Sequence, residues 1–184
     1  GTAQAIYLDN GPDGVQIVNN SIAHVSSYRS AKGILIGDSA ASNQSQNTLI
    51  RGNTISNISS IARGAYGVSV GNLAGTPSLQ VVGNLITDLS STSGWVHAIG
   101  LERDTANVSV NHNVISNLSA PGPDKVAVWF EDNPSFASGH VNRNSLAVGG
   151  AVGIGVQPSL AGGPVDGTCN WWGAASGPGA PAST

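Results

Sequence analysis

Sulfur and charge are both scarce in this chain. A single cysteine, Cys169, among 184 residues excludes an internal disulfide. The fold must therefore be held by packing and hydrogen bonds. Methionine is absent even at position 1, so the chain reads as a mature form or an excised piece of something longer, with any signal peptide outside it. Only 9% of residues are charged, and the formal net charge is −3. Its seven Lys and Arg residues are spread along the chain without forming a basic stripe, which argues against a nucleic-acid partner. No apolar run approaches the roughly 18 residues that a transmembrane helix needs, so no membrane span is expected.

Small polar residues fill the gap. Glycine alone contributes 25 residues, and Ser, Asn and Thr take the surface places that Lys and Glu usually hold. That balance suits secreted and cell-surface β proteins, and the expected location is secreted or cell surface. Six asparagines recur in near-identical surroundings: Asn20 in NNSI, Asn53 in GNTI, Asn84 in GNLI, Asn113 in HNVI, Asn144 in RNSL and Asn170 in CNWW. They are separated by 33, 31, 29, 31 and 26 residues. A period in that range marks a repeat protein, so each residue has first to be read as a rung in a stack.

The flanking columns are apolar. Three residues before the asparagines stand Ile17, Ile50, Val81, Val110, Val141 and Gly167; five before stand Val15, Thr48, Leu79, Val108, Gly139 and Val165. Two residues after come Ile22, Ile55, Ile86, Ile115, Leu146 and Trp172; five after come Val25, Ile58, Leu89, Leu118 and Gly149. Such alternation is strand, with these columns facing inward. The asparagine breaks it. Because asparagine tolerates positive φ, it is expected to turn the chain between two short strands itself.

A second strand lies half a period away, in AIYLDN (5–10), GILIGD (33–38), GVSVGN (67–72), AIGLER (98–103), AVWFED (127–132) and GIGVQP (153–158). It opens on a column of small residues only, Ala5, Gly33, Gly67, Ala98, Ala127 and Gly153, which implies a tight corner or a close backbone approach. Ser- and Gly-rich stretches such as 26–31 and 119–125 are expected to absorb the variation in repeat length. Short strands, stacked identical residues and no helical pattern predict an all-β parallel solenoid of about six turns, with turns about 4.8 Å apart. An antiparallel sandwich would show no such ladder of identical residues. One domain is expected over residues 1–173, followed by a Gly/Pro/Ala/Ser tail at 174–184.

The V-x-x-N-x-I columns with stacked asparagines resemble the right-handed parallel β-helix of the pectate-lyase-like superfamily. The last turn, Cys169-Asn170-Trp171-Trp172-Gly173 followed by Ser176-Gly177-Pro178, is similar to the NWWG-type ending of bacterial extracellular β-helix repeat proteins. By its column Trp172 is expected to plug the end of the core, with Trp171 covering the last rung. The resemblance implies a fold more than an activity, since the superfamily hosts lyases, hydrolases, epimerases, adhesins and phage fibres.

Two clusters could carry chemistry. Glu102 and Glu131 share a column, with Arg103 and Asp104 following the first and Asp132 the second. Carboxylates one strand spacing apart repel, which raises one pKa or recruits a cation. A retaining glycosidase wants two carboxyls about 5 Å apart, and calcium takes several carboxylate and carbonyl oxygens. In the resembling lyases acidic residues on one parallel face bind calcium and a neighbouring Arg or Lys abstracts a proton, so Glu102, Arg103, Glu131 and Asp132 are the candidate catalytic residues, with calcium implied only in a lyase-like protein. No paired Asp-Asp and no Gly-His-Gly string of the polygalacturonase branch is present. The same acids also read as a solvated strand end neutralised by Arg103.

Lys32, Tyr66 and His97 share a second column, and with Trp95 they form a candidate sugar-binding set of proton carriers and aromatic surface. The alternative is an ordinary mixed surface column. His112 and Arg143 share a column near His140, but with no carboxylate in it they make a poor zinc site; no metal site is assigned. His24 reads as a surface side chain.

These features imply an extracellular β-helix module with a structural or carbohydrate-binding role and a polysaccharide or cell-surface glycan as partner. The alternative is a lyase or glycoside hydrolase working through the acidic patch. An ice-binding solenoid would need outward Thr ranks, which are missing. Finally, the first turn, with Ile6, Leu8, Val15 and Ile17, has no capping element before it. The expectation is that a neighbouring domain, a removed segment or a second copy of the chain covers it.

Overall fold

A computed structural model describes residues 1–8, 14–37, 47–71, 78–102, 107–131, 138–157, 163–175 and 177. The first coil is β1 (Ala3–Leu8), β2 (Gln16–Val18) and β3 (Ser21–Ser27). The second is β4 (Ala31–Ile36), β5 (Thr48–Arg51) and β6 (Thr54–Ser60), and the third β7 (Ala65–Val70), β8 (Ser78–Val82) and β9 (Leu85–Ser91). Next come β10 (Val96–Glu102), β11 (Asn107–Asn111) and β12 (Val114–Ser119), then β13 (Lys125–Glu131), β14 (Ser138–Asn142) and β15 (Ser145–Ala147). Finally β16 (Val152–Val156) and β17 (Val165–Asp166) begin a further coil.

Each strand pairs with its counterpart in the next coil, so the chain winds three all-parallel sheets: β1-β4-β7-β10-β13-β16, β2-β5-β8-β11-β14-β17 and β3-β6-β9-β12-β15. This is the parallel solenoid the repeat predicts. Its turn count falls short of the six suggested by counting asparagines. The coil of β16 and β17 has no third-sheet strand among the described residues; only a bridge from Ser145 to Trp171 continues that sheet.

The apolar columns meet inside. Ile50, Val81, Val110 and Val141 stack with Ile55, Ile86 and Ile115 and with Val68, Ile99 and Val128, all without exposed surface. Strict alternation would bury positions two and four after the asparagine, yet positions two and five are buried. The reason is a column of left-handed residues inside the third sheet, His24, Asn57, Asp88 and Asn117, with φ from 54° to 58°. Each is an extra residue skipped by the pairing, so that Ile58 and Leu89 turn inward again.

The asparagine ladder differs from expectation in one respect. The left-handed residue at that corner is the one before the asparagine: Asn19, Gly52, Gly83, His112, Arg143 and Cys169. The asparagine itself spends its amide on bonding. Its Oδ1 accepts both the backbone N–H and the side-chain N–H of the asparagine one coil earlier, as Asn84 does from Asn53 at 2.9 Å each. Its Nδ2 also donates to the carbonyl of the inward residue in the previous coil, as from Asn84 to Ile50 at 3.0 Å. The pattern runs unbroken from Asn20 to Asn170. It satisfies buried amides at a corner where the sheets cannot.

Two further columns behave as their composition demands. A Cβ on Gly33 would stand 2.6 Å from the carbonyl oxygen of Gly67, and one on Gly67 2.7 Å from that of Ala98. Close approach thus explains the glycines there. At the far end Trp172 packs half-buried against the core and over Gly153, whereas Trp171 is 51% exposed. At the near end Ile6, Leu8 and Val15 are half-buried, while Ile17 is buried. Connections also vary where they were not expected to. Those from the third sheet to the first span three to five residues, but those from the first to the second span four to eleven. The variable segments therefore leave the C-terminal ends of the first-sheet strands.

Candidate functional site

The outer face of the first sheet breaks the rule of the other outer faces. Side chains that alternation points away from the core should be wet, yet several here are buried. Register aligns Lys32, Tyr66, His97, Val126 and Val152 in one outward column. The next aligns Leu35, Ser69, Gly100, Trp129 and Gly155. Of these Leu35, Tyr66, Ser69, His97 and Val126 are buried, Ser69 with no exposed surface at all.

Glycine makes the covering possible. The Tyr66 ring lies over Gly100, where a Cβ would come within 3.1 Å of two ring carbons. In the same way Trp95 and Tyr66 occupy the space above Gly64, and Trp129 that above Gly155. An aromatic ring can lie flat across a neighbouring strand only where that strand lacks a side chain. The result is a layer of three aromatic rings on the sheet.

Polar groups are threaded through this layer. The Trp95 indole donates to the Tyr66 hydroxyl at 2.6 Å, and the charge of the nearby Glu102 carboxylate acts on that hydroxyl. From the other side Lys32 Nζ donates to Ser69 Oγ at 3.0 Å, and Ser69 Oγ to Glu102 Oε1 at 3.3 Å. The Lys32 ammonium also stands 4.9 Å from the centre of the Tyr66 ring, a cation–π distance. The Ser69 hydroxyl, held by the Lys32 ammonium, thus orients the Glu102 carboxylate. Glu131 lies directly beside Glu102 in the next coil, and its charge reaches Tyr66.

The titrating groups respond to this setting. Burial, reinforced by the nearby Glu102 and Glu131 carboxylates, pushes the Tyr66 hydroxyl well above its ordinary value, so it stays protonated. Burial alone lowers His97 to about 4, so the imidazole is neutral around pH 7. His97 lies edge-on to Tyr66 and tilted against Trp129, both at 5.4 Å between ring centres. Its Nδ1 is buried without a hydrogen-bond partner.

Two sets that the sequence presented separately therefore form one. Lys32 bonds through Ser69 to Glu102 and stands over the ring of Tyr66, whose hydroxyl Trp95 holds; His97 adjoins them, and Glu131 is in register with Glu102. Arg103 and Asp132, the other two candidates, lie outside the described residues, as does Asp104. The partner of Glu102 seen here is Ser69, with Lys32 behind it. Sequence reading missed Ser69, Trp129 and the three cradling glycines. A signal did exist: Ser69, Gly100 and Trp129 stand in one outward column, where a glycine beside an aromatic residue marks a ring laid across the sheet.

Elsewhere, an open groove on the second sheet brings His112 and Arg143 together with His140, and His140 Nδ1 stands 3.6 Å from Asp166. Among the described residues no three His, Cys, Asp or Glu side chains are grouped to hold a metal, and no helix is long and apolar enough to cross a membrane. Compared with known protein families, curated proteins and solved structures, the chain matches none.

Proposed function

We propose that this chain is an extracellular β-helix module that binds carbohydrate on the outer face of its first sheet. The observation that carries the reading is the network of Trp95, Tyr66, Ser69, Lys32 and Glu102 set among flat-lying rings. Aromatic surface with a few fixed polar groups is the usual make-up of a small-molecule site, and it matches a sugar, which has apolar C–H faces and hydroxyl edges. A purely structural column would not assemble these residues in only the middle coils. Secretion to the cell surface fits the Ser-, Asn- and Gly-rich composition. The NWWG-type ending and the stacked V-x-x-N-x-I columns support a place in the pectate-lyase-like superfamily.

A second reading rests on the register of Glu102 with Glu131. Adjacent coils hold carboxylates at about the separation a retaining glycosidase uses. In that reading the protein is a polysaccharide-active enzyme with Glu102, oriented by Ser69, as one of its two carboxyl groups. Arg103 and Asp132 follow these glutamates in the sequence and would complete the patch. Among the described residues, two carboxylates fall short of the oxygen ligands that calcium takes.

Glycan-array binding of the intact chain and its Tyr66→Phe and Trp95→Ala variants tests the first reading. Binding that both variants weaken supports it, and binding unchanged in both refutes it. Turnover of uronic-acid polysaccharides and of neutral glycans, with and without calcium, tests the second. Activity must vanish in Glu102→Gln/Glu131→Gln; full activity in that double variant excludes the patch.

A further inference from the structure

We propose that the open groove on the outer face of the second sheet is a ligand site of its own, which takes the carboxylate of an acidic sugar on Arg143 with His112 beside it. It lies on a different sheet from the carbohydrate site above and stands or falls apart from that reading. Backbone conformation is the first argument. The residue before each ladder asparagine is left-handed, and in the second and third coils it is Gly52 and Gly83. In the last three coils the same corner carries His112, Arg143 and Cys169, with φ from 57° to 59°. A residue with a Cβ costs free energy there that glycine does not. Strain of this kind gathers at functional sites. Here it sets an imidazole and a guanidinium side by side on adjacent coils, about 4.8 Å apart along the stack.

Charge is the second argument. Among the described residues that line the groove, Arg143 is the one lysine or arginine and Asp166 the one carboxylate. Asp166 is already engaged: His140 Nδ1 stands 3.6 Å from it, and the Thr168 backbone N–H donates to its Oδ1 at 3.0 Å. The Arg143 guanidinium and the His112 imidazole are exposed, and among the described residues neither has an ion pair or a side-chain hydrogen bond. A guanidinium offers a planar fork of donors that matches a carboxylate through two parallel bonds. The rest of the groove suits a sugar better than a free ion. It encloses about 720 Å³, a small-molecule volume, and Ser109, Asn111 and Asn142 line it with hydroxyl and amide groups that pair with sugar hydroxyls.

The test is titration calorimetry of the intact chain with galacturonate trisaccharide, its neutral galactose counterpart and sodium sulfate. The acidic sugar should bind about tenfold more tightly than the neutral one, as loss of a charge-assisted contact implies, and more tightly than sulfate; added salt should weaken it. Arg143→Gly should abolish the preference while leaving the thermal unfolding midpoint unchanged or raised, because glycine already serves this corner at Gly52 and Gly83. Arg143→Lys, which keeps the charge and loses the fork, should retain part of it. Tyr66→Phe and Trp95→Ala, on the first sheet, should leave it intact. Equal binding of the acidic and neutral sugars, or sulfate bound as tightly as the acid, overturns the proposal. So does a preference that survives in Arg143→Gly or is lost in the first-sheet variants. A midpoint that falls sharply in Arg143→Gly overturns it as well, since the arginine would then be held for folding.

Discussion

Two polar regions of this molecule are buried, and they are built on opposite principles. The asparagine ladder repeats the same residue in every coil, and each amide satisfies the next. The first-sheet cluster uses a different residue in each coil: Lys32, then Tyr66 and Ser69, then Trp95, His97 and Glu102, then Trp129 and Glu131. Repetition closes the ladder on itself, so it needs nothing from outside. Variation leaves the cluster with a carboxylate pair and an orphaned imidazole nitrogen. In a solenoid, the buried polar groups that do not repeat are the ones to examine for function.

Breaking the ladder should have the largest effect. Asn84→Ala removes the acceptor of the Asn53 backbone and side-chain N–H groups and the donor to the Ile50 carbonyl. At 1–3 kcal/mol for each buried group left unpaired, the loss is about 5 kcal/mol by denaturant unfolding. A loss under about 1 kcal/mol would mean that the ladder is ornament to the packing. Next comes the apolar stack that the ladder holds in register. Ile86→Ala, at a site without exposed surface, should cost about 2–5 kcal/mol.

The cluster should reveal itself through pH. His97 has a folded-state pKa of about 4 against an ordinary 6.5, so between those values the native chain binds fewer protons than the unfolded one. Its contribution to stability is complete above the ordinary value and is lost as pH falls toward 4. The loss is about 3 kcal/mol by linkage, and His97→Gln should flatten the slope. A wild-type stability that stays level between pH 7 and 4 would show that the imidazole is not buried neutral. The smallest effect sharpens the contrast inside the core. Thr48 interrupts an apolar column, and its buried Oγ1 has no partner, unlike any ladder asparagine. Thr48→Val should leave stability unchanged or raise it by about 1 kcal/mol.

The cluster was only partly legible in advance. Column assignment correctly put Glu102 beside Glu131 and Lys32 beside Tyr66 and His97. It could not join the two columns, because the link runs through Ser69, an inconspicuous serine, and through rings that cross from one strand to the next over Gly64, Gly100 and Gly155. Similarly, asparagine's tolerance of positive φ pointed to the ladder residue as the turn. Its neighbour takes that conformation instead, which leaves the asparagine side chain free to face inward and bond.

By itself the sequence determined the solenoid, its inward columns and its register, because a repeat stacks like upon like and one coil predicts the next. Only the tertiary structure decided the bulge column that turns Ile58 and Leu89 inward, the count of complete coils, and the face where unlike residues meet. Those depend on backbone twist and on how far each side chain reaches across about 4.8 Å to its neighbour. Such distances are a property of stacked coils, and a single coil read along the chain does not contain them.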